Sequence, residues 1–145
     1  MEYFDIVDVT DDLNDRMLSY LFMSGYRDLR YANPIYKVTQ FISLVKPKGP
    51  EDFKSNVERD NTVFNKHSLF MYNGEIVDQD ALANIAYGFF GEYLGFSKEM
   101  LRRGADIAQK SAEKNLFVKD DPRDDARVQQ GRQLYLRGSY KLWVQ

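Results

Sequence analysis

The chain has 145 residues, the size of one domain, with 43% hydrophobic and 29% charged side chains, no cysteine and a net charge of -2. That balance belongs to a folded globular protein rather than a disordered one, and a chain of this length buries a core without staples. Thiol catalysis, disulfides and thiolate metal sites are excluded, and the acidic balance gives no general pull toward nucleic acid.

Met1 to Thr10 is acidic and mixed, so it does not read as a signal peptide, and another carrier is expected if the protein acts outside the cytosol. Thr10 with Asp11 and Asp12 marks a helix start, with acids in the first turn. Leu13, Met17, Tyr20 and Leu21 recur at helical spacing and predict a helix to about Arg30, weakened near its end by Gly25. Asn33 and Pro34 give the next start, a cap followed by a first-turn proline. Ile35, Val38, Phe41, Ile42 and Val45 form its apolar stripe, and Pro47 stops it. From Lys46 to about His67 the chain reads as irregular, a length of loop that is usually functional or mobile. Leu69 to Val77 predicts a hairpin turning at Asn73-Gly74.

Asp80 begins a third predicted helix that ends near Gly95. Ser97 caps a fourth, from Lys98 to about Lys114. Asp121 and Pro122 open a fifth, which reaches about Arg137 and is ended by Gly138. Tyr140 to Val144 reads as a short strand. No stretch approaches the length of a transmembrane helix, so no membrane insertion is expected. The expected fold is one α+β domain over residues 1–145, mostly helical, with about five helices and a small β-hairpin.

Three places carry candidate chemistry. Asn84, Gly88, Gly91 and Gly95 share one face of the third helix. Each interior glycine costs about 1 kcal/mol against alanine, so something must offset it. Close packing against a small-residue stripe at Leu101, Ala105, Ala108 and Ala112 is one account. Room for a ligand that Asn84 hydrogen-bonds is the other. The second place is Asp120 to Asp124, where Asp121 reads as the cap and Asp124 reaches back to it. Asp124 also shares a face with Val128, Gly131 and Tyr135. A carboxylate drawn into a low-dielectric cleft has a raised pKa and suits a general acid. The third place is the loop from Lys46 to Lys54, which matters if Asp52 and Lys54 fold over the cleft. His67, the single histidine, reads as a surface or capped residue, and Arg102-Arg103 as a solvated face. No phosphate loop, dinucleotide fingerprint or His-Glu-x-x-His pattern occurs, and neither a metal nor a cofactor is implied.

Five runs then fall in order: Gly49-Pro50-x-Asp52-x-Lys54; Asn84-Ile85-x-Tyr87-Gly88-x-x-Gly91-x-x-x-Gly95-Phe96; Leu101-x-x-Gly104-Ala105-x-x-x-Gln109; Asp120-Asp121-Pro122-x-Asp124; and Gly131-x-x-x-Tyr135. Together they resemble the bacterial polymorphic toxins of type 44, over about Asp8 to Gly138. Members often carry histidine after the position of Ile85, where this chain has Ala86. The resemblance implies an antibacterial effector, secreted or delivered into target bacteria, with a cognate immunity protein that protects the producer. On it we read Asp52, Asp121 and Asp124 as catalytic carboxylates. Lys54, Asn84, Tyr87, Gly88, Gly91 and Gln109 are read as substrate-binding positions. The expected reaction is hydrolysis of peptidoglycan in the target periplasm, at a glycosidic or amide bond. The alternatives are a ribonuclease using Lys46, Lys54 and the aspartates in the target cytosol, and a non-enzymatic binder that blocks a target.

Overall fold

The computed structural model describes residues 6–45, 50–51, 64, 69–102 and 122–144, the side chains of 122–124 excepted. In chain order come β1 (Val7–Asp8), α1 (Thr10–Phe22), α2 (Ser24–Arg30), α3 (Pro34–Val45), β2 (Leu69–Tyr72), β3 (Glu75–Asp78), α4 (Gln79–Leu94), α5 (Pro122–Leu136) and a 3-10 turn (Ser139–Leu142). Between α4 and α5, residues 98–102 are also helical. The class is α+β and mostly helical, as the sequence predicts.

The hairpin forms where Asn73-Gly74 places it. Both residues take positive φ, 51° and 81°, which matches the right-handed twist of the flanking strands. Phe70 pairs with Val77, and both turn toward the core with Tyr72. β1 was not expected. It pairs in parallel with β2, Val7 opposite Phe70, and makes a three-stranded sheet in the order β1-β2-β3. Two residues are too short for an alternating pattern to be visible in a sequence.

Four other boundaries differ from expectation. The first predicted helix is two helices, broken at Met23, whose ψ of 120° is extended. The break re-aims the chain so that Tyr26 and Leu29 bury. At the start of α1 the cap position is Val9, without a side-chain cap, and the Asp8 carboxylate just before it accepts from the Thr10 amide at 2.9 Å. α4 starts one residue early, because Asp78 is its cap, accepting from the Ala81 amide at 2.8 Å. Replacing Asp78 with alanine is expected to cost about 1 kcal/mol, read as a fall of about 4 °C in the melting midpoint. The tail is a 3-10 turn and not a strand. Gly138, at φ 72°, reverses the chain, and the Tyr140 and Trp143 rings settle on Phe89 at 6.0 and 5.8 Å. Packing against rings decides its shape, with no sheet edge involved.

α4 is the centre of the molecule. Leu82, Ile85, Phe89, Phe90 and Leu94 are all within 1% of fully buried. A helix apolar on every side must be surrounded. α1 and α2 contribute Tyr20 and Tyr26, which lie 4.2 and 4.9 Å from the Phe90 ring. α3 contributes Phe41, 5.0 Å from Phe96. Only part of the predicted stripe on α3 is used: Phe41 is buried, whereas Ile35 is 80% exposed. Lys37 of α3 donates to the Leu94 carbonyl at 2.8 Å, a cation placed at the negative end of α4.

Candidate functional site

The glycine-bearing face of α4 meets α5 and the 98–102 segment. A Cβ at Gly88 would fall 2.0 Å from the Val128 carbonyl oxygen, and one at Gly131 would fall 1.8 Å from that of Ile85. Each helix thus offers a glycine to the other's backbone, close enough for Cα–H contacts to carbonyl oxygen. At Gly91 the space is taken by the Leu101 side chain, 2.2 Å from the missing Cβ. Gly95 is different: it closes α4 in the left-handed region, at φ 95°. Packing therefore accounts for the space at Gly88, against α5, and at Gly91, against Leu101; Ala105, Ala108 and Ala112 of the expected stripe lie outside the described residues.

The contacts run in the same direction along both helices. Gly88 meets Val128, Glu92 pairs with Arg132 at 2.7 Å, and Tyr93 meets Tyr135 with ring centroids 5.8 Å apart. One helical turn before Gly88 stands Asn84, and one turn before Val128 stands residue 124. Asn84 is half-buried, and its amide has no hydrogen-bond partner among the described residues. A half-buried amide left with open donors and an acceptor is suited to a ligand. Tyr87 is committed elsewhere: its hydroxyl donates to the Leu101 carbonyl and its ring stacks on Phe41 at 5.3 Å.

Two ion pairs fix the start of α5. Arg102 lies exposed, as the sequence predicts, and donates twice to Asp125, at 2.9 and 3.1 Å. That guanidinium holds the Asp125 carboxyl below its ordinary range. Arg127 grips Glu75 beside the hairpin turn at 2.9 and 3.1 Å, and likewise lowers the Glu75 carboxyl.

A buried polar group that the sequence did not advertise lies within the segment from Lys46 to Lys54. The Glu51 side chain is only 2% exposed. It accepts from the Tyr26 hydroxyl at 2.6 Å and from Arg16 at 3.4 Å, while its amide donates to the Leu44 carbonyl at 2.8 Å. Burial first, then the Glu51 charge, pushes the neighbouring Tyr20 hydroxyl far above its ordinary range. A charged residue between proline and aspartate in a polar loop reads as solvated, so nothing in the local pattern marks it. The next residue in the chain is Asp52.

Asp52, Lys54, Gln109 and Asp121 lie outside the described residues, as do His67 and the side chain of Asp124. Of the proposed positions the structure describes Asn84, Tyr87, Gly88 and Gly91, all on α4. Among the described residues no group of three or more histidines, aspartates and glutamates stands close enough to hold a metal ion, and no helix is long and apolar enough to cross a membrane.

Compared with known proteins, residues 40–137, more than half of the chain, match a family model described as Bacterial toxin 44. No curated protein and no solved structure gives a match.

Proposed function

Because the chain belongs to the bacterial toxin 44 family, we propose that it is an antibacterial effector whose toxicity is the hydrolysis of peptidoglycan by aspartate general acid–base chemistry. The family also speaks for an immunity protein as partner and for delivery into a target cell. The supporting observation is the common direction of α4 and α5. Asn84, with its open amide, stands one turn before the Gly88 contact with α5, the helix that Asp121 and Asp124 open in the sequence. An amide beside carboxylates suits a bond whose cleavage needs one proton given and one water activated. In this proposal Asp124 or Asp52 is the acid and another aspartate positions water or stabilises charge. Asn84 and Lys54 orient the glycan or its peptide. Tyr87, Gly88 and Gly91 contribute by shaping the wall, since their own groups are engaged in packing. Gln109 contacts substrate.

The test has two arms. The whole chain is expressed in a test bacterium, once in the cytosol and once behind a periplasmic signal, and purified protein is incubated with sacculi. Killing from the periplasm and release of soluble fragments are expected. Asp124→Asn should lower fragment release by about 100-fold or more, the scale of a lost proton donor. Asn84→Ala should lower it less, with an unchanged melting midpoint. Killing only from the cytosol, with loss of cellular RNA, would replace this proposal by a ribonuclease.

A further inference from the structure

A second surface lies away from the open amide of Asn84. Between α1, α2, the C-terminal end of α4, α5 and the 3-10 turn runs an open groove of about 580 Å³. Its floor is aromatic: Tyr135 stacks on Tyr140 at 5.3 Å, with planes 9° apart, and meets Tyr93 edge-on. Its walls are apolar, from Leu18 and Phe22 of α1 to Val144. Phe22 is 66% exposed and Val144 54%, so the rim leaves greasy side chains in water. Exposed apolar surface grouped in this way is typical of an interaction site.

Two cations stand in the same groove. The Arg30 guanidinium lies over the Tyr93 ring, 5.1 Å from its centroid, and Lys141 also lines the groove. Neither makes an ion pair among the described residues. The carboxylate whose charge acts on Tyr135 is that of Glu92, which is already paired with Arg132 at 2.7 Å. In a chain with net charge -2, this is a local excess of positive charge set among rings. Seven of the nine lining residues, Tyr93 and Tyr135 being the exceptions, fall outside the segment 40–137 that matches the family. The groove is thus built mainly from parts of the chain that the family match does not cover.

We propose that this groove docks a protein partner through an acidic segment carrying apolar or aromatic anchors. The carboxylates meet Arg30 and Lys141, and the anchors lie on Tyr135, Tyr140 and Phe22. A nucleic acid is disfavoured because its binding scales with the number of phosphates neutralised, and two cations on an acidic chain supply few. A neutral glycan would use the rings but leave both cations without a role. Complementary charge with a buried aromatic centre is the pattern of a protein interface. The proposal does not depend on which bond the protein cuts.

Peptides are selected from a random displayed library on the whole wild-type chain. The selected peptides are then titrated against wild type, Lys141→Glu and Arg30→Glu by isothermal calorimetry. An RNA oligonucleotide and a soluble peptidoglycan fragment are titrated in parallel. Selected peptides should combine Asp or Glu with Leu, Phe or Trp. Each charge reversal should weaken them by about tenfold or more, the size of one lost charge contact in an interface, and added salt should weaken them further. Lys141 is exposed, so Lys141→Glu should melt like wild type and keeps the test valid if Arg30→Glu folds poorly. Peptides without acids, or equal binding to both variants, would overturn the proposal. So would tighter binding of the RNA or the glycan fragment that either reversal abolishes.

Discussion

Replacing Gly131 with alanine is expected to destabilise the protein by about 3 kcal/mol, at the upper end of what overpacking does. The added methyl would lie 1.8 Å from the Ile85 carbonyl oxygen and 2.9 Å from the Phe89 amide nitrogen. Both are backbone atoms of the most buried helix, so no side chain can swing aside to make room. α5 must lift from α4, and the contacts of Val128, Arg132 and Tyr135 loosen with it. Gly88→Ala should behave the same way, since its methyl would meet the Val128 carbonyl at 2.0 Å. Gly91→Ala should cost less, because the obstacle is the end of the Leu101 side chain. Gly25 is the control. It lies exposed in α2 with nothing within 4 Å of a new Cβ, and alanine there should stabilise by up to about 1 kcal/mol. Thermal melts of the variants check the order: a midpoint about 10 °C lower for Gly131→Ala and slightly higher for Gly25→Ala. Equal midpoints for these two would mean that α4 and α5 do not approach through their glycines.

The second large effect is expected at Glu51. Glu51→Ala strips a buried carboxylate from between the Tyr26 hydroxyl and the Arg16 guanidinium, whose side chain is 11% exposed. Removing one member of a buried pair leaves the other charge in a poor solvent, at a cost of about 3 kcal/mol. Glu51→Gln keeps an acceptor for Tyr26 and should cost roughly half as much. Tyr26→Phe removes one hydrogen bond and should cost about 1 kcal/mol. Denaturant unfolding of the three variants checks this ranking. Midpoints indistinguishable from wild type would show that the buried pair adds nothing to stability. Because Asp52 follows directly on Glu51, loss of killing by the stable Glu51→Gln variant would further tie this anchoring to function.

Most of the fold was legible where local chemistry decides it. Asn73-Gly74 demands positive φ at both residues, and the hairpin is there. Asn33 accepts from the Tyr36 amide at 2.9 Å, as a cap before Pro34 should, and Gly138 stops α5. What escaped was decided at long range. The break at Met23 is fixed by where Tyr26 must reach. β1 exists only because Phe70 and Met71, more than sixty residues later, offer it an edge. The glycine stripe on α4 was visible, and Leu101 meets it at Gly91 as expected, but the approach of α5 at Gly88 was not foreseen. Gly131 read as part of a face with Asp124, Val128 and Tyr135. Its reciprocal approach to Ile85 is a property of two helices and cannot be seen in one. The candidate site divides in the same way: Asn84 and the start of α5 were marked by sequence, whereas Glu51, Arg16 and Tyr26 meet only after folding.

The order in which the chain is made gives the central position of α4 another meaning. By the time residue 102 leaves the ribosome, α4 is complete, and Phe89 faces a side that nothing yet covers. Among the described residues its cover includes Gly131, Tyr135, Tyr140 and Trp143, which are synthesised later. Until they arrive the nascent chain carries an oily helix with a bare flank, the kind of surface that chaperones and secretion factors grasp. A core that closes only with residues 122–144 stays pliable until they emerge, and any route that carries the chain unfolded has that interval in which to engage it.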